Sequence, residues 1–376
     1  MLPKVIHTSL AVFGLYLLST GIAIAKDCTV WVTKEPVQSK PDYYSSLSSA
    51  LSSVEERRCV TVTINVASGE YRERVLIDRP NVEIVGQGME HTRIVNNLYA
   101  EIASDYYPSG WGTPGSATMV IRGENITIKS LTIENDFAYL KNDALKKGHK
   151  DKARASQAVA LLLDKNSDRV WFEDVSLVGY QDTLFAHGGR AYIKNSVISG
   201  NVDFIFGGGQ LLIEGSKIVS RRRGKTFKPG DIQGHITAPS TSIEHSYGIV
   251  FKNCELLAEE GVPEKSHTLG RPWHPTTNFP DGRYADPRAI GHALYFNTKM
   301  GKHITEDGWG SMKGTAKDGS KSLIFTPDDS RFYEWNSAGE GAHMANPERQ
   351  KRKIKDPAAE IEEIERLHFM DWLAED

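Results

Sequence analysis

Excess charge of either sign is missing from this chain: 45 Lys and Arg stand against 48 Asp and Glu over 376 residues, a formal net charge of −3. So even a balance gives no support for bulk nucleic-acid binding, which needs a basic field. Only Arg221-Arg222-Arg223-Gly224-Lys225 is locally basic. Cysteine is scarce, with 3 in all, none in CxxC spacing, and no histidine cluster has metal-ligand spacing. A structural zinc site is therefore disfavoured, and neither a metal nor another cofactor is expected. Asn-Gly and Asp-Gly pairs are sparse in the middle of the chain, which argues against a β-sandwich built from tight hairpins. Long apolar runs are absent except for one from about Ser9 to Ile22, short for a membrane span. It follows Lys4 and leads to Ala23-Ile24-Ala25 just ahead of Lys26-Asp27, small residues two apart as a signal-peptide cut requires. The expectation is a cleaved leader over residues 1–25 and a secreted, extracellular chain 26–376, the periplasm being the alternative in a bacterial host, with no membrane contact after cleavage. Cys28 is not the first mature residue, so a lipid anchor is not expected.

What is present is a repeat. Five segments align without gaps: IKSLTIEN from Ile128, FEDVSLVG from Phe172, IKNSVISG from Ile193, IEGSKIVS from Ile213 and FKNCELLA from Phe251. Their starts lie 44, 21, 20 and 38 residues apart, a unit of about 21 with two double-length intervals. The first column (Ile128, Phe172, Ile193, Ile213, Phe251) and the sixth (Ile133, Leu177, Ile198, Ile218, Leu256) are apolar throughout. The fourth (Leu131, Val175, Ser196, Ser216, Cys254) is small or apolar, and the third (Ser130, Asp174, Asn195, Gly215, Asn253) tolerates left-handed backbone. Such a unit cannot bury its apolar side alone and must stack on copies of itself. The expected architecture is all-β, a parallel β-helix. Tyr43 to Glu56 reads as an amphipathic helix capping one end. Pro357 to Leu373 reads as a second helix that docks on the solenoid through Ile361, Ile364, Leu367 and Met370, a partner-binding helix being the alternative. Cys28 and Cys59 flank the first strand-helix-strand segment, which makes them the pair to expect, against three buried free thiols.

Chemistry concentrates at one phase. Ten residues after successive repeat starts come Asp182, Asp203 and Arg223. In a parallel stack equal phase means vertical adjacency, so the two carboxylates are expected about 4.8 Å apart, one rung from each other, with Arg223 near the same groove. Carboxylates that close titrate as a unit, one protonated while the other is anionic, which suits an acid beside a nucleophile or base. A purely structural aspartate ladder is the plainer alternative.

The surrounding motifs narrow the choice. SQAVALLL (Ser156 to Leu163), GYQDTLF (Gly179 to Phe185), GNVDFIFG (Gly200 to Gly207) and LGRPWHP (Leu269 to Pro275) occur in order, with GEYRE, GRYADP and RFYEWNSAGEGA around them. Together they resemble the signature segments of the pectin methylesterases, carbohydrate esterases of family 8, and most closely the bacterial type. The resemblance implies a right-handed, pectin-lyase-like solenoid that acts on the methyl esters of homogalacturonan and needs no cofactor. It implies Asp203 as nucleophile, Asp182 as general acid and base, Gln181 and Gln157 as oxyanion donors, and Arg271 as the group that orients Asp203. Trp273, Phe206 and Tyr180 offer faces for stacking sugars, packing being their alternative role. Arg223 is the candidate for a galacturonate carboxylate, and Thr113 is implied by similarity alone. The insertions at Glu101 to Gly115, Phe137 to Ala155 and Gly224 to Tyr247 are expected to wall the groove. Some bacterial relatives tie the coils around the nucleophile with a disulfide; here those places hold Asn195 or Ser196 and Ser216. A monomer is expected, and Asn125-Ile126-Thr127 is a glycosylation sequon relevant only in a eukaryotic host. The rivals are a glycoside hydrolase, since carboxylates about 5 Å apart suit a retaining displacement, a lyase on the same fold, and a non-catalytic binding solenoid.

Overall fold

A strand of three to five residues that ends at a left-handed residue cannot fold back on itself, so it pairs with the same segment one coil further on. The computed structural model describes residues 26–35, 41–103 and 112–372, so the expected leader lies outside them. Within them the first repeat column forms a continuous parallel ladder. Ile128 lies opposite Phe172, Phe172 opposite Ile193, Ile193 opposite Ile213, and Ile213 opposite Phe251. The column runs on to Ile84 and Ile64 in one direction and Tyr295 in the other. All of these side chains are fully buried. Each buried Ile or Phe contributes roughly 1.5–3 kcal/mol, which is what holds the coils together in the absence of local hairpins.

The turn column behaves as its composition dictates. Ser130, Asp174, Asn195, Gly215 and Asn253 all have φ between 50° and 59°. The coils are joined into a 17-stranded sheet and a 7-stranded sheet on the other side of the core, with every pairing parallel. Two antiparallel hairpins, Thr276–Phe279 with Gly282–Ala285 and Met312–Gly314 with Leu323–Phe325, stand outside both sheets. The inward serines satisfy themselves along the stack. The Val175 amide donates to Ser196 Oγ at 3.1 Å and the Ser196 amide to Ser216 Oγ at 3.1 Å. A hydroxyl ladder thus runs along the inward side of these coils.

The ends are closed differently. At the first, a helix covers the open core with Leu47, Ala50, Leu51 and Val54. It begins at Leu47 rather than Tyr43, because Ser46 caps it by accepting from the Ser49 amide while Tyr43–Tyr44 pairs as a short strand beside Trp31 and Val32. A disulfide links Cys28 to Cys59 across a Cα separation of 5.8 Å, and Cys254 is a buried free thiol. At the far end the apolar column stops at Glu334, opposite Tyr295. Its buried carboxylate is paired with the equally buried Arg349 and also accepts from Trp309 Nε1 at 3.2 Å. The helix Pro357–Phe369 packs Ile361, Ile364 and Leu367 beside Tyr192, Leu212, Tyr247, Val250 and Leu294 on the outside of the solenoid, but Met370, expected to dock with them, leaves the helical conformation as its C-cap and is exposed. Among the described residues no helix is long and apolar enough to cross a membrane.

Candidate active site

The ladder of the smaller sheet fixes the aspartates. Leu184 pairs with Ile205 and Phe185 with Phe206, while Gln181 bridges Val202, so Asp182 and Asp203 occupy neighbouring rungs. Their backbones are about 4.8 Å apart on strand geometry. Both adopt the left-handed region, with φ of 66° and 49°. The glycine three residues ahead of each has a spatial cause. A Cβ on Gly179 would meet Thr183 Oγ1 at 2.7 Å, and one on Gly200 would meet Phe204 Cβ at 2.2 Å. The sharp approach that turns each aspartate toward the groove therefore requires a residue without a side chain.

Electrostatics then separates the two. Arg271 follows the strand His267–Gly270, two strands along the sheet from Asp203. It grips that carboxylate with both arms, Nε to Oδ1 at 2.8 Å and Nη2 to Oδ2 at 2.6 Å. A bidentate, charge-assisted pair in a poorly hydrated place compensates the negative charge where it sits. Asp182 has no such partner. Burial pushes its proton affinity well above the usual carboxylate range, the charge of Asp203 adds to the effect, and Arg271 offsets only part of it. The neighbouring His235 is held neutral by burial and by the positive charges of Arg271 and Arg223, and its Nδ1 lies 2.7 Å from Thr268 Oγ1.

Asp182 and Asp203 open on a cleft of about 570 Å³, with Gln157, Gln181 and Thr113 also in its lining. Phe185, Phe206, Ala238, Trp273, Pro275 and Met312 make its apolar wall. Phe185 and Phe206 stack at 4.3 Å, and Trp273 leans on Phe206 at 5.6 Å. Ser156 donates to Gln181 Oε1 at 3.3 Å, which leaves the amide N–H groups of Gln181 for the cleft. Gln157 Oε1 is buried with no hydrogen-bond partner.

Two expectations about the lining need correction. Arg223 does not stack over Asp203. A loop intervenes and the rung above Val202 is filled by His235, so equal phase fails at this coil. The Arg223 guanidinium lies instead against Asp143, at 2.9 and 3.0 Å, and donates to Gln233 O at 2.6 Å. Tyr180 also stands outside the lining: its ring stacks on Tyr139 at 5.2 Å and carries the Arg221 guanidinium at 3.8 Å. Of the three insertions, Gly112–Gly115 contributes Thr113 and Pro114 to the cleft. The second and third are joined through Asp143, which accepts from the amides of Gly224 and Lys225. The third is more than a wall, since it contains the ladder strand Gly234–Pro239. Phe185, His187, Arg283 and Met312 are lining residues that the repeat did not reveal. Arg283 sits in the quoted GRYADP segment but in a hairpin with no repeat phase, and no spacing signal marks Met312.

The pectinesterase family model matches residues 36–347. The chain belongs to the pectinesterase family. It is 44% identical over 289 residues to pectinesterase A of Dickeya dadantii (strain 3937), covering 76% of this chain and 77% of that protein. Among solved structures it superposes on pectin methylesterase PemA from Erwinia chrysanthemi with a TM-score of 0.81 and 41% identity, over 88% of this chain and 94% of that one. A pectin methylesterase crystallised in complex with hexasaccharide VII gives a TM-score of 0.80 and 40% identity over the same shares. The fold is the β-helix of these pectin methylesterases, and the chemistry is that of a carboxylic ester hydrolase.

Proposed function

We propose that the cleft removes methyl esters from homogalacturonan by a double displacement on Asp203. A carboxylate oxygen of Asp203 attacks the ester carbonyl carbon, and the carbonyl electrons move onto oxygen. That oxyanion is met by the amide hydrogens of Gln181 and Gln157, donors already in place before charge develops. Collapse breaks the bond to the methoxy group, which leaves as methanol with the proton of Asp182. Asp182, now anionic, takes a proton from water as the water oxygen attacks the galacturonyl carbon of the mixed anhydride. The second collapse frees the carboxylic acid product and restores both aspartates. Arg271 keeps the Asp203 carboxylate oriented, and Trp273, Phe206 and Thr113 contact the sugar chain. The observation that carries this reading is the pair of adjacent-rung aspartates, one held by a guanidinium and the other with strongly raised proton affinity.

The structure solved with a hexasaccharide supports a groove that takes several sugars. Methylated pectin is the substrate to use: the purified protein should release methanol without creating new reducing ends. New reducing ends without methanol would instead mark a glycoside hydrolase.

Residues 26–376 are proposed to act as one exported, monomeric catalytic domain. The apolar stretch before Ala25 supports this, as does the Cys28–Cys59 disulfide, a bond that persists in oxidising compartments. A mature N-terminus at Lys26 is the expected result of sequencing the secreted protein, and cell-retained protein beginning at Met1 would contradict it.

A further inference from the structure

The Arg271 guanidinium reaches Asp203 past an intervening strand, and that strand carries a histidine that no step of the proposed reaction uses. Gly234–Pro239 lies in the smaller sheet between the strand Val202–Gly207 and the strand His267–Gly270. Its His235 pairs with Val202, the neighbour of Asp203, on one side and with Thr268 on the other. The ring is part-buried and stands outside the lining of the cleft. We infer that His235 is a positioning residue that acts through Thr268 on the Gly270–Arg271 peptide and so aims the Arg271 guanidinium at Asp203. The inference rests on the esterase reading of the cleft and adds to it the group that supports its arginine.

Hydrogen bonds define the path. Thr268, buried in the sheet, directs its hydroxyl hydrogen to Gly270 O at 3.4 Å. With that hydrogen committed, Thr268 Oγ1 meets His235 Nδ1 at 2.7 Å as an acceptor, so Nδ1 carries the ring proton and Nε2 does not. Gly270 O also accepts from the Gly310 amide at 2.9 Å, and the Arg271 amide donates to Thr237 O at 3.0 Å. One residue earlier, Leu269 O accepts from Thr237 Oγ1 at 2.9 Å and from Tyr295 Oη at 2.7 Å. Both carbonyls ahead of Arg271 are thus held by two donors each. Gly270 itself has no room for a side chain, since a Cβ there would meet Thr237 Oγ1 at 2.1 Å. The other end of the path reaches the nucleophile: the His235 amide donates to Asn201 O at 3.0 Å, on the coil of Asp203. One residue therefore ties the coil of the carboxylate to the base of the guanidinium. Burial and the positive charges of Arg271 and Arg223 keep the imidazole uncharged, so it donates a hydrogen without adding a cation beside Arg271. Supporting contacts of this kind hold a reacting group to the tolerance that chemistry needs.

The test is a double-mutant cycle on methylated pectin. H235A and T268V should each lower kcat roughly five- to ten-fold with little change in KM, the effect of losing one supporting hydrogen bond. H235N, whose amide can donate from the place of Nδ1, should recover most of the rate. In an R271Q background, H235A should add a loss of less than about two-fold, because a residue that acts through Arg271 then has nothing left to aim. If H235A does not fold, T268V carries the same cycle. Losses that multiply in full across the two backgrounds, or a parental kcat in both H235A and T268V, overturn the inference. The nitrogen NMR signals of the His235 ring read the contact without turnover. They should show a neutral ring protonated on Nδ1, with that signal displaced in T268V, and a ring protonated on Nε2 alone would also overturn the inference. Absence of methanol release from the parent would instead remove the esterase reading, while the ring signals would still decide whether His235 holds Thr268.

Discussion

The coil that carries Asp182 and the coil that carries Asp203 give two residues the same backbone and the same degree of burial. Both aspartates are in the left-handed region, each is 8% exposed, and each follows a glycine by three residues. Their chemistry nevertheless diverges, because one arginine from two strands along the sheet reaches Asp203 and not Asp182. The solenoid supplies spacing, and a single side chain outside the repeat supplies the asymmetry that acid and nucleophile require.

The strongest way to test that division is to delete each member. Asp203→Ala removes the attacking atom, and a fall in kcat of roughly 10⁴-fold or more is expected, by analogy with other nucleophile deletions. Methanol release near parental rate would reject Asp203 as nucleophile. Asp182→Asn keeps shape but abolishes proton transfer, with an expected loss of about 10²–10⁴-fold. The same variant should gain stability. Below the unfolded carboxylate value, near 3.9, Asp182 is protonated in both states. Above it the unfolded chain ionises while the folded one holds its proton, so the parent loses stability as pH rises toward the raised folded value, and Asn does not. Parent and variant melting curves should coincide near pH 4 and separate increasingly toward neutral pH, with Asn the more stable. A gap that closes as pH rises would show that Asp182 is not held protonated by the fold.

Arg271→Gln should make the two aspartates more alike. Without the guanidinium, the Asp203 carboxylate keeps a buried charge with no compensation and loses both contacts that fix its orientation. An activity loss of roughly 10²–10³-fold, chiefly in kcat, is expected. A kcat close to the parental value would assign Arg271 a packing role only.

How far the chain could be read in advance follows from the same contrast. What repeat phase sets was legible: the four columns, the left-handed turn residues and the adjacency of Asp182 and Asp203 recur in register. What depends on departures from phase was not. Arg223 was expected over Asp203 because its spacing matched, but spacing cannot show a loop that leaves the stack before the next rung. Asp143, which claims Arg223, lies 80 positions away in sequence within an insertion that carries no periodicity. Arg283 and Met312 reach the cleft on hairpins outside both sheets, where neither period two nor the coil length applies. The buried Glu334–Arg349 pair was hidden because an acidic residue continues a column that is apolar everywhere else it was read.

The smallest expected effect concerns the two glutamines, which repeat the comparison at the oxyanion. Gln181 Oε1 accepts from Ser156, so its amide is held with the N–H groups toward the cleft, whereas Gln157 Oε1 has no partner to fix it. Ser156→Ala should release the first amide to rotate, lowering kcat about three- to ten-fold with little change in KM, since one neutral hydrogen bond of about 1 kcal/mol is lost and the donor itself remains. Ser156→Thr, which keeps the hydroxyl, should recover most of the rate. If alanine and threonine variants fall together, or if KM moves in step with kcat, then Ser156 shapes the groove without orienting Gln181, and the two amides are held equally by the fold.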